Sequence, residues 1–255
     1  MTAKIRIDAL TKRFGEGDRG HLALQEFSLD VAEGEFVCLL GPSGCGKTTV
    51  LRIMAGLEQA SSGAVVTSPP PPGRPANSMV FQEHGLFPWM TALENAAYGL
   101  EMRGVPRRER EARALEFLAR IGLVKFRSHY PHQLSGGMRQ RVSLARAFVN
   151  DPDILLMDEP FAALDAQTKL VLQQELLALW EAERKTVVFV THGIDEALSL
   201  GDRIVVMTGA PGRIKQVVPV PFERPRDPAS LRANAEFGRL SLEIWHLIER
   251  EVQAA

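Results

Sequence analysis

Gly41-Pro-Ser-Gly-Cys-Gly-Lys47-Thr48-Thr49 satisfies the pattern G-x-x-x-x-G-K-[ST] at every position. The run before it, Glu35-Phe-Val-Cys-Leu-Leu40, reads as a short apolar strand, and Val50 to Leu57 has helix-forming composition. Strand, glycine-rich turn and helix is the order in which a phosphate cradle is built. Gly41, Gly44 and Gly46, with Pro42, Ser43 and Cys45 between them, let backbone N–H groups curl round phosphate oxygens. The helix that follows turns its positive end on the same oxygens. Lys47 can then reach the β and γ phosphates, and the Thr48 hydroxyl can ligate Mg2+. An incidental glycine-rich turn would match this pattern in about one chain in a hundred of this length. Nucleotide binding is therefore expected.

The rest of the composition narrows the setting. With 255 residues, 45% hydrophobic and 24% charged, the chain can bury a sizeable core as one large domain or two small ones. No apolar run approaches the roughly 20 residues of a membrane span, so any membrane role must come through a partner. The N-terminus, Met1-Thr-Ala-Lys-Ile-Arg-Ile7, lacks the apolar stretch of a signal peptide. Cys38 and Cys45 are the only cysteines, one in a strand and one inside the cradle, so a reducing cytoplasm is expected. A net charge of −1 makes nucleic acid a poor partner.

Working outward from the cradle, Lys4 to Asp8 and Phe27 to Val31 alternate as half-buried strands do, with a polar, glycine-rich loop from Gly15 to Gly20 between them. A small antiparallel sheet is predicted there. Gly63 to Thr67 and Ser78 to Gln82 read as further strands, separated by a proline-rich surface loop, Ser68 to Pro75. From about 83 to 149 the period becomes helical. Ala92 to Met102 is one helix, Arg107 to Ile121 another, with Ala112, Leu115, Leu118, Ala119 and Gly122 on one face. The mixed charges of Arg107 to Arg113 suit a solvated face. Ile154 to Met157 and Thr186 to Val190 read as strands buried on both faces of a parallel sheet, with a helix from Ala166 to Glu183 between them. Arg203 to Thr208 supplies one more strand. After Pro219 comes a proline-rich linker and a helix in which Phe237, Leu240, Ile244, Leu247 and Ile248 share a face.

Two further stretches carry chemistry. Ile154-Leu-Leu-Met-Asp158-Glu159 sets two carboxylates at the C-terminal end of a buried strand, where ligands of open α/β sheets gather. Asp158 can hold the Mg2+ shell, and Glu159 can orient and deprotonate an attacking water. Leu134-Ser-Gly-Gly-Met-Arg-Gln140 sits just before an amphipathic helix running through Arg141 to Val149, and Ser-Gly-Gly at a helix start is a second anion site.

Cradle, Leu134-Ser-Gly-Gly137 and Asp158-Glu159, in that order, resemble the ATP-binding cassette family, in which the second stretch is the signature motif. The resemblance extends from about Lys4 to the final helix. It implies an α/β P-loop NTPase fold: a RecA-like parallel-sheet core with an N-terminal antiparallel β subdomain and a helical insertion at about 83–149. A nucleotide-binding domain over 1–220 would be followed by a linker and helical appendage over 221–255. ATP and Mg2+ are the implied cofactors. Gln82 resembles the loop glutamine that senses Mg2+ and the attacking water, and His192 the switch histidine at the γ-phosphate. Phe14 resembles the aromatic that stacks on adenine, where tyrosine is commoner. Asp165, in Ala163-Leu164-Asp165, resembles the loop that contacts the opposite subunit. Catalysis would fall to Glu159, His192, Gln82 and Lys47, and Mg2+ to Thr48, Gln82 and Asp158. Nucleotide would be bound by Phe14, the whole run from Gly41 to Thr49, Asp165 and the partner's signature, meaning Ser135, Gly136, Gly137 and Gln140 of a second copy.

Within the family, Gly85-Leu-Phe-Pro-Trp89, Pro160-Phe-Ala-Ala-Leu-Asp165, Leu179-Trp180 and Pro211-Gly-Arg-Ile214 resemble the nitrate, sulfonate and taurine importer ATPases. The tail is too short for the regulatory β domain of sugar importers. Gly193 stands where this class usually has Asp, and Gly73 to Ser78 replaces its usual loop before the glutamine strand. The resemblance implies a homodimer on ATP binding, seated on integral membrane permease subunits at the cytoplasmic face and served indirectly by a periplasmic or extracellular solute-binding protein. Leu86-Phe-Pro-Trp89 reads either as core or as an exposed groove for a short permease helix, the second being expected. A soluble cassette ATPase of DNA repair or translation usually has tandem cassettes or long coiled-coil insertions, both absent here. A P-loop small-molecule kinase is argued against by the signature motif and Glu159.

Overall fold

The computed structural model describes residues 3–15 and 20–253. Its strands are β1 (Ala3–Phe14), β2 (His21–Ala32), β3 (Phe36–Leu40), β4 (Ser62–Thr67), β5 (Asn77–Val80), β6 (Ile154–Asp158), β7 (Thr186–Thr191), β8 (Arg203–Met207) and β9 (Ile214–Pro219). Its helices are α1 (Lys47–Met54), α2 (Ala92–Met102), α3 (Arg107–Arg120), α4 (Gly136–Val149), α5 (Ala166–Glu183), α6 (Ile194–Leu200), α7 (Pro228–Leu231) and α8 (Ala235–Gln253). Two compact units result: a first, Met1–Pro69 with Leu177–Ala255, and a second, Pro70–Leu176.

In the first unit, β1 lies between β2 and β4 in an antiparallel sheet, as expected for its first two strands. Both are 12 residues long, twice the predicted runs. Ala9 and Glu26 take positive φ at register shifts, which breaks the alternation by which a strand is recognised. Of the loop predicted at Gly15 to Gly20, residues 16–19 lie outside the described residues. The other sheet of this unit places β3 between parallel β7 and β8, with β9, a strand the sequence reading did not separate, antiparallel on β8. Every residue of β3 and β7 is buried, which is why they read as unbroken apolar runs. Trp180 lies in this core: its indole N–H donates to Lys185 O at 2.7 Å, and guanidinium groups of Arg184 and Arg224 sit 4.6 and 4.1 Å from its ring centroid. Arg224 and Arg226 also anchor the linker through Asp202, Leu200 O and Gly201 O. Burial, with Arg224 beside it, draws the Arg226 guanidinium down to about 10. The appendage is therefore packed onto this unit, and α8 buries Phe237, Leu240 and Ile244, the face the sequence predicted.

In the second unit, β5 and β6 pair in parallel, and α2, α3 and α4 pack on one another. The capping box of Thr91 and Glu94 starts α2, and the Thr91 amide and hydroxyl hold the Glu94 carboxyl below its usual range. The charges of α3 are a solvated face, with Arg107–Glu111, Glu109–Arg113 and Glu116–Arg120 pairs one turn apart. Its buried face needs correcting: Ala114 and Leu118, with Ile121 after them, point inward, while Ala112, Ala119 and Gly122 are exposed. Alanine and glycine carry little hydrophobic weight, so counting them placed the stripe on the wrong side. A second correction moves the start of α4 from Arg141 to Gly136, because Ser135 caps it. β5 ends at Val80, so Phe81 and Gln82 lie in the loop beyond it.

Candidate nucleotide-binding site

The predicted site residues divide between the units: Phe14, the cradle and His192 in the first, and Gln82, Ser135–Gly137, Gln140, Asp158, Glu159 and Asp165 in the second.

In the first unit the chain leaves β3 at Leu40, turns through the cradle and enters α1 at Lys47, three residues before the predicted helix start. Gly46 caps α1 at φ 93°, a left-handed conformation that favours glycine, and a Cβ there would lie 2.7 Å from Leu24 Cδ2. Lys47 is only 5% exposed, and its ammonium donates to Gly41 O and Pro42 O at 2.8 Å each. The loop thus curls round its own lysine, and the first-turn amides of α1 open into the curl. Burial raises the Cys45 thiol, which Lys47 opposes from 3.8 Å. One supporting residue is visible only in the fold. A Cβ on Gly212 would come within 2.0 Å of Cys45 O, so the Pro211-Gly-Arg-Ile214 stretch lies directly against the cradle.

His192 follows β7 and is exposed, while Thr191 before it is buried. Leu40 and Thr191 are register partners, so cradle and His192 leave one sheet at one edge. Phe14 ends β1 with 40% of its surface exposed. Lys12 lies over its ring at 4.7 Å and is itself held by Glu58 at 2.8 Å. Leu24, the register partner of Lys12, is the residue that packs on Gly46, which ties this strand end to the cradle.

In the second unit, Val80 and Met157 are register partners, so the Gln82 loop and Asp158 leave β5 and β6 from the same edge. Asp158 is buried at the strand end; Glu159 follows at φ 43°, a strained conformation for a residue with a side chain. Asp165 caps α5, its Oδ1 accepting from Gln167 N at 3.1 Å and Thr168 N at 3.0 Å, and these bonds hold its carboxyl below the usual range, Thr168 first. Ser135 caps α4 through Met138 N at 3.3 Å. Between these two caps lies a cleft of about 450 Å3 lined by Ser135, Gly136, Gly137, Leu164, Asp165 and Thr168. A Cβ on Gly137 would sit 2.8 Å from Thr168 Cγ2, so the close approach of α4 to α5 requires glycine.

Gln140 lies elsewhere than expected. Its side chain is fully buried, its Oε1 is 2.7 Å from His84 Nδ1, and it does not line the cleft. It packs behind α4 against the His84 loop. The loop it supports is further held by Arg146, which donates to Gly85 O, and by Asn95, bonded to both Phe87 N and Phe87 O. Neither residue carries a sequence signal. Trp89, on that loop, is 70% exposed, and the core reading of this stretch fails for it.

A buried strand, a G-x-x-x-x-G-K-[ST] turn with Gly46 packed against Leu24, and a helix opening on it define a P-loop nucleotide-binding protein. The chain belongs to the ABC transporter family: that family's model matches residues 24–162. It is an ATP-binding ATPase of that family. An uncharacterized ABC transporter ATP-binding protein of Methanocaldococcus jannaschii is 48% identical over 99% of this chain and 94% of its own length. The taurine import ATP-binding protein TauB of Rhizobium johnstonii is 44% identical over 87% of each chain. The bicarbonate transport ATP-binding protein CmpD of Synechocystis is 43% identical over 89% of this chain and 82% of its own. An ATP-binding cassette solved as a dimer in a post-hydrolysis state with ADP and Pi superposes with a TM-score of 0.73 and 36% identity, covering 86% of this chain and all of that one.

Proposed function

We propose that this chain is the ATP-hydrolysing subunit of an importer for a small anion or sulfonate-like solute of the nitrate, sulfonate and taurine class, working as a head-to-tail dimer. The observation that carries the dimer is the cleft between the caps of α4 and α5. Two helix starts open on it in one compact unit, while the cradle belongs to the other. Each ATP would be held by one copy's cradle and the other copy's Ser135, Gly136 and Gly137. The similar cassette solved as a dimer supports that arrangement. The relatives named for taurine import and for bicarbonate transport support a solute of that kind.

Phe14 stacks on the base, and Lys47 and the first-turn amides of α1 hold the phosphates. Thr48, Gln82 and Asp158 would supply protein oxygens to Mg2+, with phosphate oxygens making up the rest, as suits an ion that rarely takes an all-protein cage. Among the described residues no group of three or more His, Cys, Asp or Glu could hold a metal without such help. Glu159 would take the proton of the attacking water, and His192 would meet the γ-phosphate. Among the described residues no helix is long and apolar enough to cross a membrane. Integral permease subunits would carry the solute, with this chain seated on them at the cytoplasmic face, a reading that the import ATP-binding relatives support. The Phe87–Trp89 loop is the surface that meets them, and a solute-binding protein acts from the far side.

The test is complementation between two dead variants. Ser135→Ala and Lys47→Ala homodimers are each expected to be nearly inactive, because every site lacks a signature or a cradle. Their mixture assembles one sound site per heterodimer, restoring phosphate release or ATP-driven dimerisation by light scattering. If mixing restores neither while wild type shows both, the shared site is wrong.

A further inference from the structure

Position 193 caps α6 with a glycine, so no side chain there receives the first amides of the helix that follows His192. The structure supplies another fastening. Thr191, 1% exposed, accepts the Gly193 N–H on its hydroxyl at 2.9 Å and donates that hydroxyl to the Glu196 carboxylate. Glu196 is 4% exposed, although it lies in the first turn of α6. A hydroxyl has one hydrogen to give and lone pairs to receive, so Thr191 bonds both partners at once. The residue before His192, the residue after it and the helix beyond are thereby stapled together, while His192 itself stays exposed.

The staple is backed from both sides. α6 packs on β3, the strand that leads into the cradle, and on α7 and α8 of the appendage. The Arg232 guanidinium lies 3.7 Å from Asp195, three residues past His192. A carboxylate pointing inward from a helix's first turn costs desolvation and persists where it is bonded. Here it is bonded to the residue that precedes the histidine.

We propose that Thr191 and Glu196 are positioning residues for His192: a buried pair that holds the switch loop in place of a capping acid at 193, with the C-terminal helices as its backstop. This rests on His192 facing the γ-phosphate, as read above. Misplacing a catalytic group by about 1 Å costs on the order of a hundredfold in rate.

Thr191→Val is therefore expected to lower kcat about tenfold to a hundredfold, with ATP Kd and KM little changed, and Thr191→Ser to restore it. Gly193→Asp added to Thr191→Val should recover part of the loss by capping α6 directly. Should Thr191→Val melt early, Thr191→Val/Glu196→Met also removes the carboxylate that Val would strand, leaving only the Gly193 N–H without its acceptor. Its kcat should fall equally. The decisive readout is the His192→Ala background, in which Thr191→Val should cost nothing more, since the pair acts only through the histidine. A further multiplicative loss there, or wild-type kcat in both pair variants while His192→Ala is inactive, overturns the proposal alone. Wild-type turnover in His192→Ala overturns the role of His192, and this proposal with it.

Discussion

Leu40 and Thr191 face each other across the parallel ladder of β3 and β7, so the phosphate cradle at Gly41 and the imidazole of His192 spring from one rung. The second unit repeats the device: Val80 and Met157 are partners, and the Gln82 loop and Asp158 follow them. In each unit, groups far apart in sequence are brought together by strand register. Parallel strands end on the same side, and ligands of such sheets collect there.

Glu159 should be separable from Lys47 by experiment. Glu159→Gln keeps the size of the side chain at its strained φ of 43° and removes only the base. ATP should still bind and trap a dimer, while phosphate release slows by about a hundredfold to ten-thousandfold. Near-normal turnover would remove Glu159 from the mechanism. Lys47→Ala should instead weaken binding itself, measured with a fluorescent ATP analogue.

Gly212 gives a prediction that no motif suggests. Its added Cβ would lie 2.0 Å from Cys45 O, a backbone atom of the cradle with no flexible end to yield. Overpacking of this kind costs about 1–3 kcal/mol, and about 1.4 kcal/mol is a factor of ten in affinity. Gly212→Ala should raise the Kd for ATP by about tenfold or more. Gly238→Ala on α8, where a Cβ meets nothing within 4 Å, serves as the control and should bind ATP as wild type does. Equal affinities in the two variants would show that the cradle does not depend on its neighbour.

Trp89 lies on a firmly held loop but is itself exposed. The Phe87 ring packs in tilted pairs with Tyr98 at 4.5 Å and Trp89 at 5.5 Å, and Asn95 and Arg146 fix the backbone around them. Trp89→Ala should leave the melting temperature and basal ATPase of the isolated subunit nearly unchanged, since surface substitutions usually stay within about 0.5 kcal/mol. Co-purification with the permease subunits should be lost. Retained co-purification would move the docking surface elsewhere.

Much of this protein is written in adjacent residues. The cradle, Ser135-Gly-Gly137 and Asp158-Glu159 are legible because each is a short run whose chemistry needs those residue types side by side. β3, β6, β7 and α5 are legible because burial imposes a local pattern on a strand or helix. Packing decided the rest. Which face of α3 turns inward depends on what α2 and α4 present to it, and the 3.6-residue period alone admitted the wrong stripe. Gln140 against His84 and Gly212 against Cys45 join residues far apart in the chain. Sequence determined which groups could do the chemistry, because reactivity belongs to residue types. Only the tertiary structure decided what holds them, because a contact between distant residues exists once the chain has folded and not before.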